Sequence, residues 1–390
     1  MSATAKMHGM DGAMAEHDWP LLTLEELSAI LREFPEAGAP EQILSVSPRP
    51  FSAAGLVRTT RGKVFIKRHH CTVRDREGLH EEHGFLAHLL AHGASVPRVL
   101  ASASGETAIE IGEWTYEIHE PGHGIDLYED AFSWTPFRCA QHAYSAGKAL
   151  ARLHLASAGY SAQRRKLRPL VASFTIFASG DPAREMENYL AARPSLASHK
   201  AVRTCAGQAL ELLTPFHAEL APHLPALAPL WTHNDLHASN LLWSSHEKNA
   251  SATAIIDFGL ADRTNAVHDI AHAIERNIIE WLALVADPTH PDEVPVHFDH
   301  LDALLGGYES ARPLSFNEAS ALAPMTALCH AEFALSEADY FLSVLHAGDK
   351  APMAYDGWLA GHARWFHTKT GGRLLDMLRR RADAHVEATR

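Results

Sequence analysis

Residues 230–243 read Leu-Trp-Thr-His-Asn-Asp-Leu-His-Ala-Ser-Asn-Leu-Leu-Trp, and residues 254–260 read Ala-Ile-Ile-Asp-Phe-Gly-Leu. In the first stretch an apolar run leads into a tight polar loop and a second apolar run leaves it. In the other, a β-branched run ends in Asp-Phe-Gly. Short apolar runs bounded by turn residues read as buried strands. Asp235 stands five residues before Asn240, and Asp257 closes the next apolar run. An acid, an amide and a second acid thus fall on loops between short strands. An amide oxygen and a carboxylate suit a hard cation that prefers oxygen, and the remaining acid is free to take a proton.

Working outward, the chain of 390 residues is long enough for a sizeable core and two lobes. Its apolar share of 46% and charged share of 21% are those of an ordinary globular protein. A formal net charge of −13 argues against nucleic acid or an anionic membrane as a partner. The deficit is concentrated: residues 231–360 hold 19 acidic and 5 basic residues. No apolar run approaches the roughly 18–20 residues that span a bilayer. Residues 1–18 carry no apolar secretory core, so a cytoplasmic location is expected. Cys71, Cys139, Cys205 and Cys329 are scattered and form no CxxC pair, which fits reduced thiols. Of the 28 histidines, most are expected to be surface or hydrogen-bonded core residues. His69, His70 and Cys71, and likewise His297 and His300, lack a further partner at a recognisable metal-ligand spacing.

Along the chain, residues 1–20 have no period and are expected to form a mobile tail. Thr23-Leu-Glu-Glu26 is a capping box for a short helix that stops before Pro35. Residues 42–120 alternate like strands, with turns at Arg61-Gly-Lys63 and Gly112-Glu113. Between them Leu79–His92 has a helical apolar stripe and stops at Gly93. After Glu120-Pro-Gly-His-Gly124 the pattern becomes helical. Thr135-Pro136 and Asp181-Pro182 each read as a cap followed by proline in the first turn. Residues 161–180 read as an insertion or a mobile segment. A helix over residues 201–220 is expected to break or kink at Pro215. The expected class is α+β and bilobal: a β-rich N-terminal lobe over residues 21–120 and a larger, mostly helical C-terminal lobe over residues 121–390.

At this point the two opening stretches acquire a closer meaning. Asp235, Asn240 and Asp257, with His233 and His237 beside the first, resemble the catalytic loop and metal strand of the aminoglycoside phosphotransferase and choline kinase-like family. That family's loop usually reads His-Gly-Asp-Leu-His-x-x-Asn, and this chain has Asn234 where glycine is usual. Asparagine tolerates positive φ better than most residues, so the substitution is physically mild. The resemblance spans roughly residues 40–345 and includes Ala146–His154 and Asp269-Ile-Ala271. It implies the bilobal protein-kinase-like fold with ATP in the cleft and Mg2+ on Asn240 and Asp257, GTP remaining open. It also implies Asp235 as the catalytic base and Asp269 as a brace of the loop. Lys67, at the end of Val64-Phe-Ile-Lys, fits the phosphate-binding lysine, with Lys63 its nearest competitor. Glu82 fits the helix glutamate that pairs with it, ahead of Glu81. The nucleotide clamp is less familiar. No glycine-rich loop precedes Lys67, and Ser47–Gly55 stands in its place, where Ser52 and its neighbours can offer backbone N–H groups. Arg49 there reads most simply as an exposed loop residue. Adenine is expected to meet backbone between Ile118 and Glu120.

Only a short connection separates Gly259 from Asp269, which leaves little platform for a peptide and favours a small acceptor. The acidic half reads either as a solvated surface or as a field that attracts a cationic amine or an aminoglycoside, with Glu275, Glu332, Glu337 and Asp339 among the candidate linings. The expected activity is therefore Mg-ATP-dependent transfer of phosphate to a small-molecule hydroxyl. A nucleotide-binding regulator of the same fold, and a protein kinase, are the alternatives.

Overall fold

The computed structural model describes residues 6–388. The chain begins with a small antiparallel hairpin, β1 (Met7–His8) with β2 (Met14–Ala15). Thr23 then caps helix α1 (Leu24–Ile30) through the expected reciprocal box with Glu26. The next five strands form one antiparallel sheet: β3 (Pro40–Val46), β4 (Ala53–Thr59), β5 (Gly62–His70), β6 (Ala108–Ile111) and β7 (Trp114–His119), in the order β3-β4-β5-β7-β6. Two-residue turns set the register of both hairpins, and Gly112 supplies the positive φ (63°) that the second turn requires. Alternation along β5 then decides what faces the cleft. Val64, Ile66 and Arg68 are buried on one side, the two aliphatics against Leu27, Ile30 and Phe34 of the α1 region. Lys67 and His69 fall on the other.

Helix α2 (Arg76–Ala91) does not join that small core. Its Phe85, Leu86 and Leu89 belong to the large core of the helical lobe. The rest is helical: α3 (Ala140–Ser157), α4 (Pro182–Ala191), α5 (Pro194–Ser198), α6 (Lys200–Leu220), α7 (Ala266–Ile278), α8 (Trp281–Ala286), α9 (Phe298–Glu309), α10 (Phe316–Leu328), α11 (Ala331–Asp339), α12 (His362–Trp365) and α13 (Lys369–Ala388). Two small ladders interrupt them before α7: β8 (Pro229–Thr232) with β11 (Asp262–Asn265), and β9 (Leu241–Trp243) with β10 (Ala252–Ile255). No described helix is long and apolar enough to cross a membrane.

Three local expectations are corrected, and the break allowed for at Pro215 does not occur. The segment read as a mobile tail is packed from Met7: Met7 and His8 are buried, His8 N–H donates to Pro48 O at 2.7 Å, and Asp18 meets Tyr340 and Lys350. These partners exist only once both lobes assemble, so composition does not reveal them. Residues 1–5 lie outside the described residues. Helix α3 starts at Ala140, not at Pro136, because Tyr128 OH accepts the N–H of Arg138 and pins the chain there. Helix α6 runs through Pro215 without ending, its Leu213, Phe216 and Leu220 held in the core. Residues 161–180 contain no long helix but are tied down, Glu332 accepting the backbone N–H groups of Thr175 and Ile176.

Two glycines permit the crossing of α3 and α9. A Cβ on Gly147 would stand 1.9 Å from Leu304 O, and one on Gly307 would stand 1.9 Å from Tyr144 O. Gly306, one residue away, faces open space. Gly147→Ala should therefore lower unfolding free energy by about 1–3 kcal/mol or more. Gly306→Ala should be neutral or slightly stabilising. Urea titration of both variants checks the contrast.

Candidate active site

The loop 233–240 lies between β8 and β9, and Asp-Phe-Gly lies between β10 and β11, so the two small ladders bring Asp235, Asn240 and Asp257 together. Asn234 takes φ 61°, the left-handed conformation that its side chain tolerates. Its Oδ1 accepts from Thr232 Oγ1 at 2.8 Å and lies 3.1 Å from His268 Nδ1. Buried Asp269 accepts the N–H groups of His233 and Asn234 at 2.8 Å each. His154 Nε2 approaches the same carboxylate at 2.9 Å. Burial works to raise the Asp269 pKa, but His154 and these donors hold it below the usual carboxylate value. His233 Nδ1 accepts the N–H of Asp235 at 3.1 Å, and Nε2 lies 2.9 Å from Ile256 O. That arrangement fixes a neutral tautomer that shapes the loop.

Asp235, Asn240, Asp257, Lys67 and Ser52 all line one cavity of about 100 Å³ between the lobes. Lys67 Nζ meets Asp257 Oδ1 at 2.9 Å. Burial opposes the charge on both, but their mutual attraction wins, raising the lysine and depressing the acid. Asn240 Nδ2 donates to Asp235 Oδ2 and to Asp235 O, each at 3.0 Å. The amide oxygen of Asn240 and Oδ2 of Asp257 accept no hydrogen bond among the described residues. Two free oxygens of suitable hardness thus face a cavity that holds a lysine ammonium as counter-charge, and the pair fits a divalent cation.

The side chains of two expected cofactor residues make other ion pairs. Glu82 is buried but its nearest cation is Arg165, at 3.8 Å, and no ion pair with Lys67 forms. Lys67 pairs with Asp257 instead, while Glu117, its backbone register partner on the neighbouring strand, spends its carboxylate on His69, His83 and His119 at 2.7–2.9 Å. Glu120 points away from the cavity and pairs with Arg98 at 2.7 Å. Its N–H is taken by Arg98 O at 2.9 Å. Arg49 is not a free loop residue: its guanidinium donates to Ala131 O at 2.8 Å and to Tyr128 O at 3.3 Å and lines the cavity.

Several site residues escaped the sequence reading. Asn277 accepts the N–H of Ala238 at 3.0 Å and donates to Leu236 O at 2.8 Å, a second brace on the loop. Arg276 contacts Asp235 directly. Both lie seven and eight residues after Asp269 on α7, on the face that the loop already occupied, and that spacing was the available signal. Arg74 and Arg165 donate to Gly259 O at 2.6 and 2.9 Å. They come from distant segments and carried no local signal.

A family model for the phosphotransferase enzyme family matches residues 52–314. A homoserine kinase of Xanthobacter autotrophicus is 27% identical over 275 residues, covering 68% of this chain and 70% of that protein. The solved structure of a microcompartment-associated aminopropanol kinase superposes with TM-score 0.54 at 17% identity, over 88% of this chain and 98% of that one. A spectinomycin phosphotransferase in complex with ADP and spectinomycin gives TM-score 0.53 at 12% identity, over 89% and 98%. At such identities the two structures establish the fold.

The buried imidazoles around the loop carry a pH dependence. Burial pushes His237 down to about 3, and His268 and His362 down to about 4, so all are neutral in the folded chain. Unfolding lets them bind protons near 6.5. The unfolded state therefore gains protons first, and stability falls as pH drops from about 6.5 toward 4. Urea midpoints should decline as pH falls across that range. A flat profile down to pH 5 would contradict this.

Proposed function

The chain belongs to the phosphotransferase enzyme family, and from that premise we propose that it transfers the γ-phosphoryl group of Mg-ATP to the hydroxyl of a small molecule. The observation that carries this reading is the convergence of Asp235, Asn240, Asp257 and Lys67 on one cavity between a small sheet and a helical lobe. Lys67 would neutralise phosphate oxygens as a point charge. The loop 47–52 covers the cavity, with Phe51 held at φ 77° by Trp19 Nε1, which donates to Phe51 O at 3.2 Å. Ser52 would offer its backbone to the phosphates, and residues 21–120 would act as the nucleotide-clamping lobe. Adenine would meet backbone just before Glu120. Glu82 and Glu117 would set the charge beneath Lys67.

Mg2+ held by Asn240 and Asp257 would supply positive charge against the transferring phosphoryl group. Asp235 would orient the acceptor hydroxyl and take its proton. The chain passes from Gly259 into β11 and directly on into α7. It builds no long segment on which a peptide could lie, and this supports a small acceptor. The relatives named above phosphorylate, by their names, homoserine, aminopropanol and spectinomycin, each a hydroxylated small molecule with an amine.

Asp235→Asn should lower kcat by about 10²–10⁴-fold with little change in KM for ATP. Lys67→Ala should act chiefly on KM for ATP, and chelation should abolish turnover until Mg2+ is restored. Radiolabelled ATP with an acceptor panel measures all three. Undiminished transfer by Asp235→Asn would remove this reading.

A further inference from the structure

The proposed base is already occupied. Arg276 contacts Oδ1 of Asp235, while Asn240 Nδ2 donates to Oδ2 at 3.0 Å. Both carboxylate oxygens are thus engaged before an acceptor arrives. Arg276 is fully buried and lines the cavity, flanked by Trp134 and Phe333 with ring centroids 5.4 and 5.0 Å from its guanidinium carbon. None of its three side-chain nitrogens has a well-formed hydrogen bond.

Other counter-charges near Arg276 are weak. Glu275 Oε2 lies 3.8 Å from its Nε. Glu337 follows Phe333 by four residues and shares its face of α11. Both acids are buried, and burial raises both, Glu337 to about 8, while Oε1 of Glu275 faces His362 and His330 at 3.2 and 3.3 Å. Glu337 is therefore largely uncharged at neutral pH. Arg276, pulled down by burial to about 9, remains a cation there. Asp235 is the acid with which it is in closest contact.

That pairing sets a condition on the substrate. Asp235 can take a proton from the acceptor only if Oδ1 turns toward it. Doing so strips a buried guanidinium of its partner, which is costly unless another anion takes the place. The planar fork of arginine matches a carboxylate. The γ-phosphate is the other anion that reaches this cavity, but the cations on its side, Lys67 and Arg49, come from β5 and the loop before β4, whereas Arg276, Trp134 and Phe333 belong to the helical lobe.

We propose that Arg276 receives a carboxylate of the acceptor, so that the substrate is a small hydroxylated carboxylic acid of the amino-acid type, whose binding draws Arg276 off Asp235. The inference rests on the phosphotransferase reading above. In the step that follows, the acceptor hydroxyl gives its proton to Asp235 and its oxygen bonds to the γ-phosphorus. The bond from that phosphorus to the β–γ bridging oxygen breaks, and ADP leaves with the electron pair. Arg276 is a specificity residue in this scheme and makes the base available only to acceptors that carry the anion.

Matched acceptors test it: serine with ethanolamine, homoserine with 3-amino-1-propanol, and threonine with 1-amino-2-propanol differ within each pair only by the carboxylate. The wild-type protein should prefer the acid of at least one pair by roughly 100-fold in kcat/KM. Arg276→Gln should bring that ratio within a few-fold, mainly through KM of the acid, and Arg276→Lys should retain part of it. Thermal melting identifies a variant that fails to fold, and the wild-type ratio stands without any variant. Equal or better use of the amines, or phosphorylation of a larger amine with none of the acids, overturns the proposal and leaves phosphotransfer intact. A fall in kcat for every acceptor at unchanged KM in Arg276→Gln assigns the arginine to the phosphoryl group instead and also overturns it. If no acceptor supports ATP turnover, phosphotransfer is the reading that fails. Calorimetric binding of the same pairs to wild type and Arg276→Gln then decides the carboxylate site, and binding that ignores the carboxylate overturns it.

Discussion

Asp269 has no access to water, yet it accepts the backbone N–H groups of His233 and Asn234 and meets His154 Nε2. Hydrogen bonds to a charged group contribute about 1.5–3 kcal/mol each. Holding a non-glycine residue in the left-handed region costs about 1–3 kcal/mol. The carboxylate therefore outweighs the strain at Asn234 and sets the direction in which Asp235 leaves the loop. Its own position depends on a longer chain. His154 Nδ1 lies 2.7 Å from Tyr308 OH, which accepts from Arg312 at 3.0 Å. His154 is on α3 and Tyr308 on α9, the two helices that the glycine crossing brings together. Packing far from the cleft thus fixes the orientation of Asp235 within it.

The second constraint is charge balance across the cleft. Lys67 on the sheet and Asp257 on the opposite lobe form an ion pair between residues 190 positions apart. The remaining negative charge on the sheet side belongs to Glu117, ringed by three imidazoles. Glu82, the helix acid, serves Arg165. Met10 of the N-terminal hairpin and Phe51 of the covering loop help to line the cavity of about 100 Å³. Ligand pockets run to roughly 300–1,000 Å³. The cavity as it stands is therefore smaller than a typical ligand pocket.

What could be read from the sequence was local. The spacing of Asp235, Asn240 and Asp257, the alternation that turns Lys67 to the cleft, the two hairpin turns and the Thr23 box each depend on neighbours within a few residues. The tolerance of Asn234 for positive φ was legible for the same reason. What stayed hidden depends on contacts across the chain. Arg165 reaches Gly259 from a segment without pattern, so that segment looked mobile. Met7, His8 and Asp18 acquire partners only from the assembled lobes. Thr135-Pro136 carried a valid start signal, but Tyr128 captured the following backbone first. Arg276 and Asn277 were visible as side chains on the Asp269 face, yet no short-range rule says that a helix face will meet a loop some forty residues upstream.

The double grip on Gly259 has a pharmacological consequence. Arg74 and Arg165 hold its carbonyl from two sides, while Phe258 is buried with its ring 5.9 Å from that of Phe85. Turning the Asp-Phe-Gly segment over would break both hydrogen bonds and vacate an aromatic contact in the core. Inhibitors that rely on trapping an inverted Asp-Phe-Gly would have to overcome that cost before gaining any contact of their own.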